Sequence, residues 1–203
     1  MKVDLHIHTA ISYDATGRPE EVLAQARKVG LDGIGITEHN SYEKCAVFQE
    51  LAPKYGVAVF IGAEVATRTG HILVFSRDIQ RWNRYQGINN DAQELLDEVN
   101  SIGGVAIAAH PYRLGISYGG NGVKRLKGLG AIEVCNGGSR EDENRLAREL
   151  AEAMSLPGTG GSDAHRLEEI GRSYTLFPER IATLEELVAA IKAGSCRCGR
   201  PGE

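Results

Sequence analysis

The chain has 203 residues, of which 42% are hydrophobic and 25% are charged. This length and composition fit one globular domain with a sizeable core and exclude a disordered or fibrous protein. The formal net charge of −4 argues against a general attraction to nucleic acid. Because the sequence shows neither a basic leader before an apolar stretch nor a run long enough to cross a bilayer, we expect a cytoplasmic protein without membrane contact.

Short apolar runs alternate with helical patterns along the chain. The runs predict strands at Lys2–His8, Gly33–Glu38, Val57–Glu64, Val105–His110 and Ala131–Cys135. Helices are predicted from Pro19 to Gly30, along the apolar stripe from Leu95 to Ile102, from Ser139 to Met154, and after a capping box of Thr183 and Glu186. The alternation predicts an α/β fold with a mainly parallel sheet.

No linker or repeat divides the chain, so we predict a single domain over residues 1–194. Residues 195–203 follow the last helix and are expected to form a loose C-terminal tail. The four cysteines, which are scattered in a sequence without a leader, are expected to be reduced: Cys45, Cys135, Cys196 and Cys198. Cys196-x-Cys198 lacks the second pair that a structural zinc site needs.

Histidines and carboxylates stand where the apolar runs stop. His6 and His8 lie two residues apart in a strand pattern, so their side chains project to the same side, together with Asp4. Other candidates end later runs: His39, Glu64, His110, and the pair Asp163 and His165. Because the carboxyl ends of parallel strands meet at one rim, we expect these side chains to converge there.

His71 differs because it precedes its apolar run, Ile72–Phe75. Only six residues separate it from Glu64, which is too short for a helical crossover. The connection should therefore be a tight turn into an antiparallel strand that begins at the same rim. This predicts that His71 lies beside Glu64.

All six histidines thus join one cluster, and Asp14, Glu64 and Asp163 bring the number of candidate ligands to nine. Mixed nitrogen and oxygen ligands suit zinc, manganese or iron and do not suit calcium. Nine ligands exceed the need of one ion, and a carboxylate can bridge two. We therefore expect two or three divalent metal ions.

Six short motifs, in this order, resemble those of the PHP (polymerase and histidinol phosphatase) superfamily. They are His6-Ile-His8, Ser12-x-Asp14, Thr37-Glu38-His39, Gly62-x-Glu64, His110-Pro111 and Ser162-Asp163-Ala164-His165. The likeness spans Asp4 to His165. It implies a distorted seven-stranded β/α barrel with the metal site at the C-terminal rim of the strands.

The resemblance also implies three sets of ligands, with Glu64 shared between the first two. The first ion would be held by His6, His8, Glu64 and Asp163. The second would be held by Glu64, His71 and His110. The third would be held by Asp14, His39 and His165.

The reaction that we predict is the hydrolysis of a small phosphate monoester by metal-activated hydroxide. Three divalent ions, set against three ligand carboxylates and one hydroxide, leave about two positive charges, which complement a monoester dianion. Glu64 would bridge ions, Asp163 would bind metal, and Arg113 would clamp the phosphate. A metal-bound water or a site residue such as Asp163 would supply the proton to the leaving group. Asp4 and Glu38 are candidates to accept hydrogen bonds from metal-bound imidazoles.

Three alternatives stay open from the sequence. The superfamily includes polymerase-associated exonuclease domains, so a metal-dependent nuclease is one of them. It is disfavoured because the chain is acidic and lacks interleaved basic and aromatic residues. The others are a metal-dependent amidohydrolase and a metal-binding domain without turnover. We expect substrate recognition to depend on rim loops between Tyr112 and Lys127, and no pattern indicates an oligomeric state.

Overall fold

The computed structural model describes residues 1–77, 85, 87–115 and 119–202. Its strands are β1 (Lys2–Ile7), β2 (Gly33–His39), β3 (Ala58–Thr67), β4 (Gly70–Phe75), β5 (Val105–Ala108), β6 (Ala131–Asn136), β7 (Gly158–Gly161), β8 (Tyr174–Leu176) and β9 (Arg197–Gly199). Its α-helices are α1 (Pro19–Lys28), α2 (Ala46–Tyr55), α3 (Ala92–Ser101), α4 (Glu141–Met154) and α5 (Leu184–Lys192). Short 3₁₀ helices cover Gly120–Arg125 and Leu167–Glu169.

The strands form one sheet in the order β7-β6-β5-β4-β3-β2-β1-β8-β9. β1, β2 and β3 pair in parallel, and so do β5, β6 and β7. β4 is antiparallel to both of its neighbours, and its register places Thr67 opposite Gly70 across a tight turn. The α/β class and the antiparallel strand predicted after Glu64 are both confirmed.

The sheet curves until β7 approaches β1 again, which makes it a nearly closed barrel. At the C-terminal end of the strands, Asp163 N donates to His6 O (2.7 Å) and His8 N donates to Ala164 O (2.9 Å). At the other end β8 fills the gap, because it pairs with β1 while the Thr175 hydroxyl accepts from Gly160 N (2.9 Å). The sheet is therefore a distorted, nearly closed barrel, consistent with the fold that the resemblance implies.

Three expectations that bear on the C-terminal segment are wrong. The described chain has nine strands instead of seven, because β8 and β9 extend the sheet beyond β1 to β7. The predicted loose tail contains β9, which pairs antiparallel with β8. Cys135 and Cys198 are not reduced but form a disulfide, with Cα atoms 6.0 Å apart, whereas Cys45 and Cys196 are free. Pairing of β9 with β8 brings Cys198 against β6.

Apolar side chains fill the barrel and both of its outer sides. Inside, Leu5, Leu73 and Ile107 pack with Leu187 and Ile191 of α5 in one buried cluster. α1 and α2 cover the strands β1 to β3, and α3 and α4 cover β4 to β6. α1 begins with Pro19 and two glutamates, a favourable helix start. Among the described helices, none combines the length and the apolar character that a membrane span requires.

Gly161 allows β7 to lie against β1. A Cβ atom at this position would lie 2.5 Å from His6 Cβ, 2.9 Å from His6 N and 2.9 Å from Glu133 Oε1. Because such contacts force the strands apart, we predict that Gly161→Ala lowers the free energy of unfolding by about 1–3 kcal/mol. Urea denaturation measures this change. Gly87→Ala is the matched control, since none of the described residues lies within 4 Å of its added Cβ. Equal midpoints for the two variants would contradict the close approach.

Candidate metal centre

The predicted cluster lies at the C-terminal rim of the barrel. His8 follows β1, His39 ends β2, Glu64 lies in β3, and His110 and Asp163 come two residues after β5 and β7. His71, the second residue of β4, enters from the turn side because its strand runs the other way. The structure therefore brings together all nine residues that the sequence singled out, including Asp14 and His165.

Glu64 lies at the centre of the cluster, and its carboxylate faces five imidazoles. Oε1 is 2.8 Å from His71 Nδ1, 2.9 Å from His110 Nε2 and 3.4 Å from His6 Nε2. Oε2 is 2.9 Å from His39 Nδ1 and 3.5 Å from His8 Nε2. The two oxygens thus face different sets of ligands, which is the arrangement of a bridging carboxylate.

Asp163 faces the same imidazoles from the other side of the barrel. Its Oδ1 is 3.3 Å from His6 Nε2 and 3.2 Å from His8 Nε2. The two Nε2 atoms are themselves only 3.2 Å apart. These three side chains are buried together with Glu64 and His110, so the inner part of the cluster is closed to bulk water.

The outer part of the cluster is more accessible. His39 Nε2 and His165 Nε2 lie 3.1 Å and 3.4 Å from Asp14 Oδ2. The side chain of Asp14 is 32% exposed and that of His165 is 29% exposed. A ligand from solution would therefore reach the cluster past these three residues.

Opposite charges decide the protonation of the inner groups. Burial disfavours the ionised form of Glu64, but His6 and His71 outweigh it and hold the pKa of Glu64 well below its usual value. The pKa of Asp163 is likewise held well below its usual value, because His6, His8 and His110 outweigh the effect of burial. Burial lowers the pKa of the His8 imidazole to about 4. Ionised carboxylates are the form that binds metal ions, whereas Asp163, Glu133 and Glu64 raise the pKa of the buried His6 imidazole well above its usual value, so His6 would lose a proton on binding an ion.

Two ligand candidates have left-handed backbone conformations. His110 has φ 25° and Asp163 has φ 54°. Neither residue is glycine, so each conformation costs roughly 1–3 kcal/mol and has to be held by surrounding contacts. Strain of this kind clusters at functional sites. Here His110 Nε2 lies 2.9 Å from Glu64 Oε1, and Asp163 Oδ1 lies 3.3 Å from His6 Nε2.

Arg113 reaches the edge of the cluster. Its Nη1 lies 2.5 Å from Asp163 Oδ2, and its Nη2 donates to Asn136 Oδ1 (2.5 Å). Gly138 leaves space for the guanidinium, since a Cβ there would lie 2.5 Å from Nη2. Of the predicted rim loop, residues 116–118 lie outside the described residues.

Neither of the two acids that were predicted to accept a hydrogen bond from a ligand imidazole does so. Asp4 accepts from the backbone of Ser162 (2.8 Å) and Gly171 (2.9 Å), and it therefore anchors the segment after β7. Glu38 accepts from the hydroxyls of Thr9 and Ser12. Neither acid contacts an imidazole ring in the described structure. Their strand positions direct them to neighbouring loops instead.

Glu133 has the position that was expected of Asp4 and Glu38. It is buried in β6, and its Oε1 lies 3.0 Å from His6 Nδ1. Glu133 was not predicted as a site residue because it lies inside a strand and not at its end. A signal was present, since an acidic residue within the apolar run Ala131–Cys135 must find partners when buried.

The donor atoms fit a metal centre. Four overlapping groups have ligand atoms within 4.8 Å of one another and could each hold an ion. They are His6, His8 and Glu64; His6, His110 and Asp163; Glu64, His71 and His110; and His8, His39 and His165. Imidazole and carboxylate together suit zinc, manganese or iron.

Similar proteins agree with the fold and the motifs. The PHP domain model matches residues 4–117, and the PHP-associated model matches residues 141–196. An uncharacterised protein of Methanocaldococcus jannaschii is 34% identical over 124 residues, which are 55% of this chain and 68% of the relative.

Two solved structures have the same fold. PsfC from Pseudomonas syringae aligns with a TM-score of 0.77 and 21% identity over 99% of this chain and 91% of PsfC. A two-domain Bacteroides vulgatus protein that contains a predicted PHP-like metal-dependent phosphoesterase aligns with a TM-score of 0.75 and 19% identity. The alignment covers 98% of this chain but only 64% of that protein. At these identities the likeness shows the fold alone, whereas the PHP model covers more than half of the chain: the chain belongs to the PHP domain family, whose members are metal-dependent hydrolases.

Proposed function

We propose that this chain hydrolyses a small phosphate monoester with the help of two or three divalent ions. The observation that carries the proposal is the position of Glu64, whose two oxygens face separate sets of imidazoles. A bridging carboxylate is typical of clustered hydrolytic metal ions. A structural metal site would need only one closed set of four ligands.

The proposed ligand sets are those that the family motifs imply, and the distances within the cluster support them. His6, His8, Glu64 and Asp163 would hold one ion; Glu64, His71 and His110 would hold a second; Asp14, His39 and His165 would hold a third. When bound, such ions lower the pKa of water to about 7 and neutralise phosphate oxygens. Zinc, manganese and iron all suit these donors.

Asp163 acts in this proposal as a ligand and not as the proton donor. His6, His8 and His110 hold the pKa of its carboxyl well below the usual value, so it carries no proton at neutral pH. Its second oxygen faces Arg113. A solvent molecule at the exposed side, near Asp14 and His165, is a better source of the proton for the leaving group.

Arg113 is the proposed phosphate-binding side chain. Its contact with Asp163 supports a place beside the inner ions, where the phosphoryl group has to lie. A guanidinium can donate two parallel hydrogen bonds to phosphate oxygens, which an ammonium cannot. Together with the net positive charge of the loaded cluster, this favours a dianionic monoester over a singly charged diester.

The direct test is a comparison of substrates in one preparation. Initial rates are measured for p-nitrophenyl phosphate, bis-p-nitrophenyl phosphate and an aryl amide with added manganese, zinc or iron. The proposal predicts the highest kcat/KM for the monoester. Turnover of the diester alone would favour a nuclease, and turnover of the amide alone would favour an amidohydrolase. Bound metal without turnover of any of the three would contradict the proposal.

Removal of Glu64 should disrupt two ions at once. We predict that Glu64→Ala abolishes hydrolysis and lowers the metal content by two ions per chain, because its carboxylate is shared by two ligand sets. Elemental mass spectrometry measures the metal content. Glu50→Ala, which changes an exposed acid of α2, should keep both metal and activity. Full activity of Glu64→Ala would refute this site.

Removal of Arg113 should act on substrate binding. Charged hydrogen bonds contribute about 1.5–3 kcal/mol, so we predict that Arg113→Ala raises the KM for the monoester roughly 10- to 100-fold with a smaller change in kcat. Steady-state kinetics at saturating metal measures both constants. Arg27→Ala, in α1 at the opposite end of the barrel, is the matched control. An unchanged KM would exclude Arg113 from the phosphate site.

A further inference from the structure

Glu133 contacts the inner ligands of the cluster on the side that faces away from Glu64. Its side chain is fully enclosed by protein, and it belongs to none of the motifs that identify the family. Three different groups contact its two carboxylate oxygens. The role of Glu133 in holding these ligands rests on the proposed metal centre.

The first contact fixes the ring of His6. Glu133 Oε1 lies 3.0 Å from His6 Nδ1, while His6 Nε2 faces Glu64, Asp163 and His8. The carboxylate thus takes the far nitrogen and leaves Nε2 free for an ion. By contrast, the buried Nδ1 atoms of His8 and His110 have no hydrogen-bond partner within the described residues.

The second contact fixes the backbone of His110. Glu133 Oε2 accepts a hydrogen bond from His110 N (2.9 Å). This residue has φ 25°, a conformation that needs support from its surroundings. The turn aims His110 Nε2 at Glu64 Oε1, 2.9 Å away. One carboxylate therefore supports ligands that leave two different strands.

The third contact leads to Arg113. Asn136 Nδ2 donates to Glu133 Oε2 (2.9 Å), and Asn136 Oδ1 accepts from Arg113 Nη2 (2.5 Å). The backbone of Asn136 is itself held by Asn144 of α4, whose amide contacts both Asn136 N and Asn136 O. Asn136 thus links the buried acid to the guanidinium proposed to bind phosphate.

We propose that Glu133 is a positioning residue that holds His6 and His110 in their metal-binding geometry and, through Asn136, orients Arg113. All three groups around it are hydrogen-bond donors, and a carboxylate can accept from all of them. Glutamine has the same shape, but its amide nitrogen would face a donor at one of the two oxygen positions. Glu133→Gln therefore removes at least one of the three contacts without removing volume.

The test measures metal affinity and not only activity. Metal-free protein is titrated with Zn²⁺ against a competing chelator, and the melting temperature is recorded with and without the metal. Glu133→Gln should bind Zn²⁺ about 10- to 100-fold more weakly, as is typical when the outer partner of a metal ligand is lost. The rise in melting temperature on metal addition should shrink accordingly.

Glu143→Gln is the matched control for this variant. Glu143 is also a buried glutamate, but it accepts from the backbone of Arg140 and Leu114 and contacts no imidazole. We expect its metal affinity to equal that of the parent chain. If Glu133→Gln lowers the melting temperatures of metal-free and loaded protein equally and keeps the parent affinity, Glu133 has a structural role only and the proposal is overturned.

Two further measurements do not depend on folding of Glu133→Gln. In ¹⁵N-labelled parent protein loaded with Zn²⁺, His6 should carry its proton on Nδ1, and a protonated Nε2 would overturn the proposal. Asn136→Ala should raise the KM for the monoester at least fivefold while the affinity for metal stays unchanged. An unchanged KM would show that Glu133 does not orient Arg113 through Asn136. If the parent chain binds Zn²⁺ but hydrolyses no monoester, the proposed function fails while the affinity test of Glu133 still stands.

Discussion

The contact between a buried carboxylate and five imidazoles is the interaction on which the site depends. Glu64 is enclosed by protein, and an isolated carboxylate in such a place would be strongly unfavourable. Imidazoles from the ends of β1, β2 and β5 and from the start of β4 surround it, so the strands that supply them have to meet at one point. The barrel is the fold that lets this happen, because its curvature brings all of these ends to one rim.

Backbone features keep the rim closed around Glu64. Gly161 lets β7 approach β1, and the hydrogen bond from Asp163 N to His6 O joins the two strands beside the ligands. The left-handed conformations of His110 and Asp163 bend the chain so that the side chains face inward. Asp4 and Glu133, both buried acids within strands, hold these bends through hydrogen bonds to backbone N–H groups. Stability and site geometry therefore share the same contacts.

Much of the fold and of the cluster could be predicted from the sequence, because the ligands end apolar runs and parallel strands share a rim. The spacing between Glu64 and His71 was sufficient to predict an antiparallel strand, since six residues cannot contain a crossover helix. β7 could not be predicted in the same way. Its sequence is Gly-Thr-Gly-Gly, which has no apolar pattern. Glycine is needed in this strand because its neighbours leave no room for a Cβ atom.

Sequence patterns could not assign the role of residues that act through long-range contacts. β9 is three residues long and is defined by its pairing with β8, and the Cys135–Cys198 disulfide depends on that pairing. Asp4 and Glu133 are both acids in apolar strands, and only the structure distinguishes the one that contacts backbone from the one that contacts an imidazole. Short spacing predicts neighbours along one strand, whereas 127 positions separate His6 from Glu133.

The metal centre is tested most directly by anomalous diffraction from crystals of the protein grown with Mn²⁺, recorded on both sides of the manganese absorption edge. We expect at least two anomalous peaks within ligand distance of Glu64, one beside His6 and His8 and the other beside His71 and His110. Absence of any peak at this carboxylate at saturating Mn²⁺, or ions bound only at the surface of the barrel, would contradict a clustered metal centre.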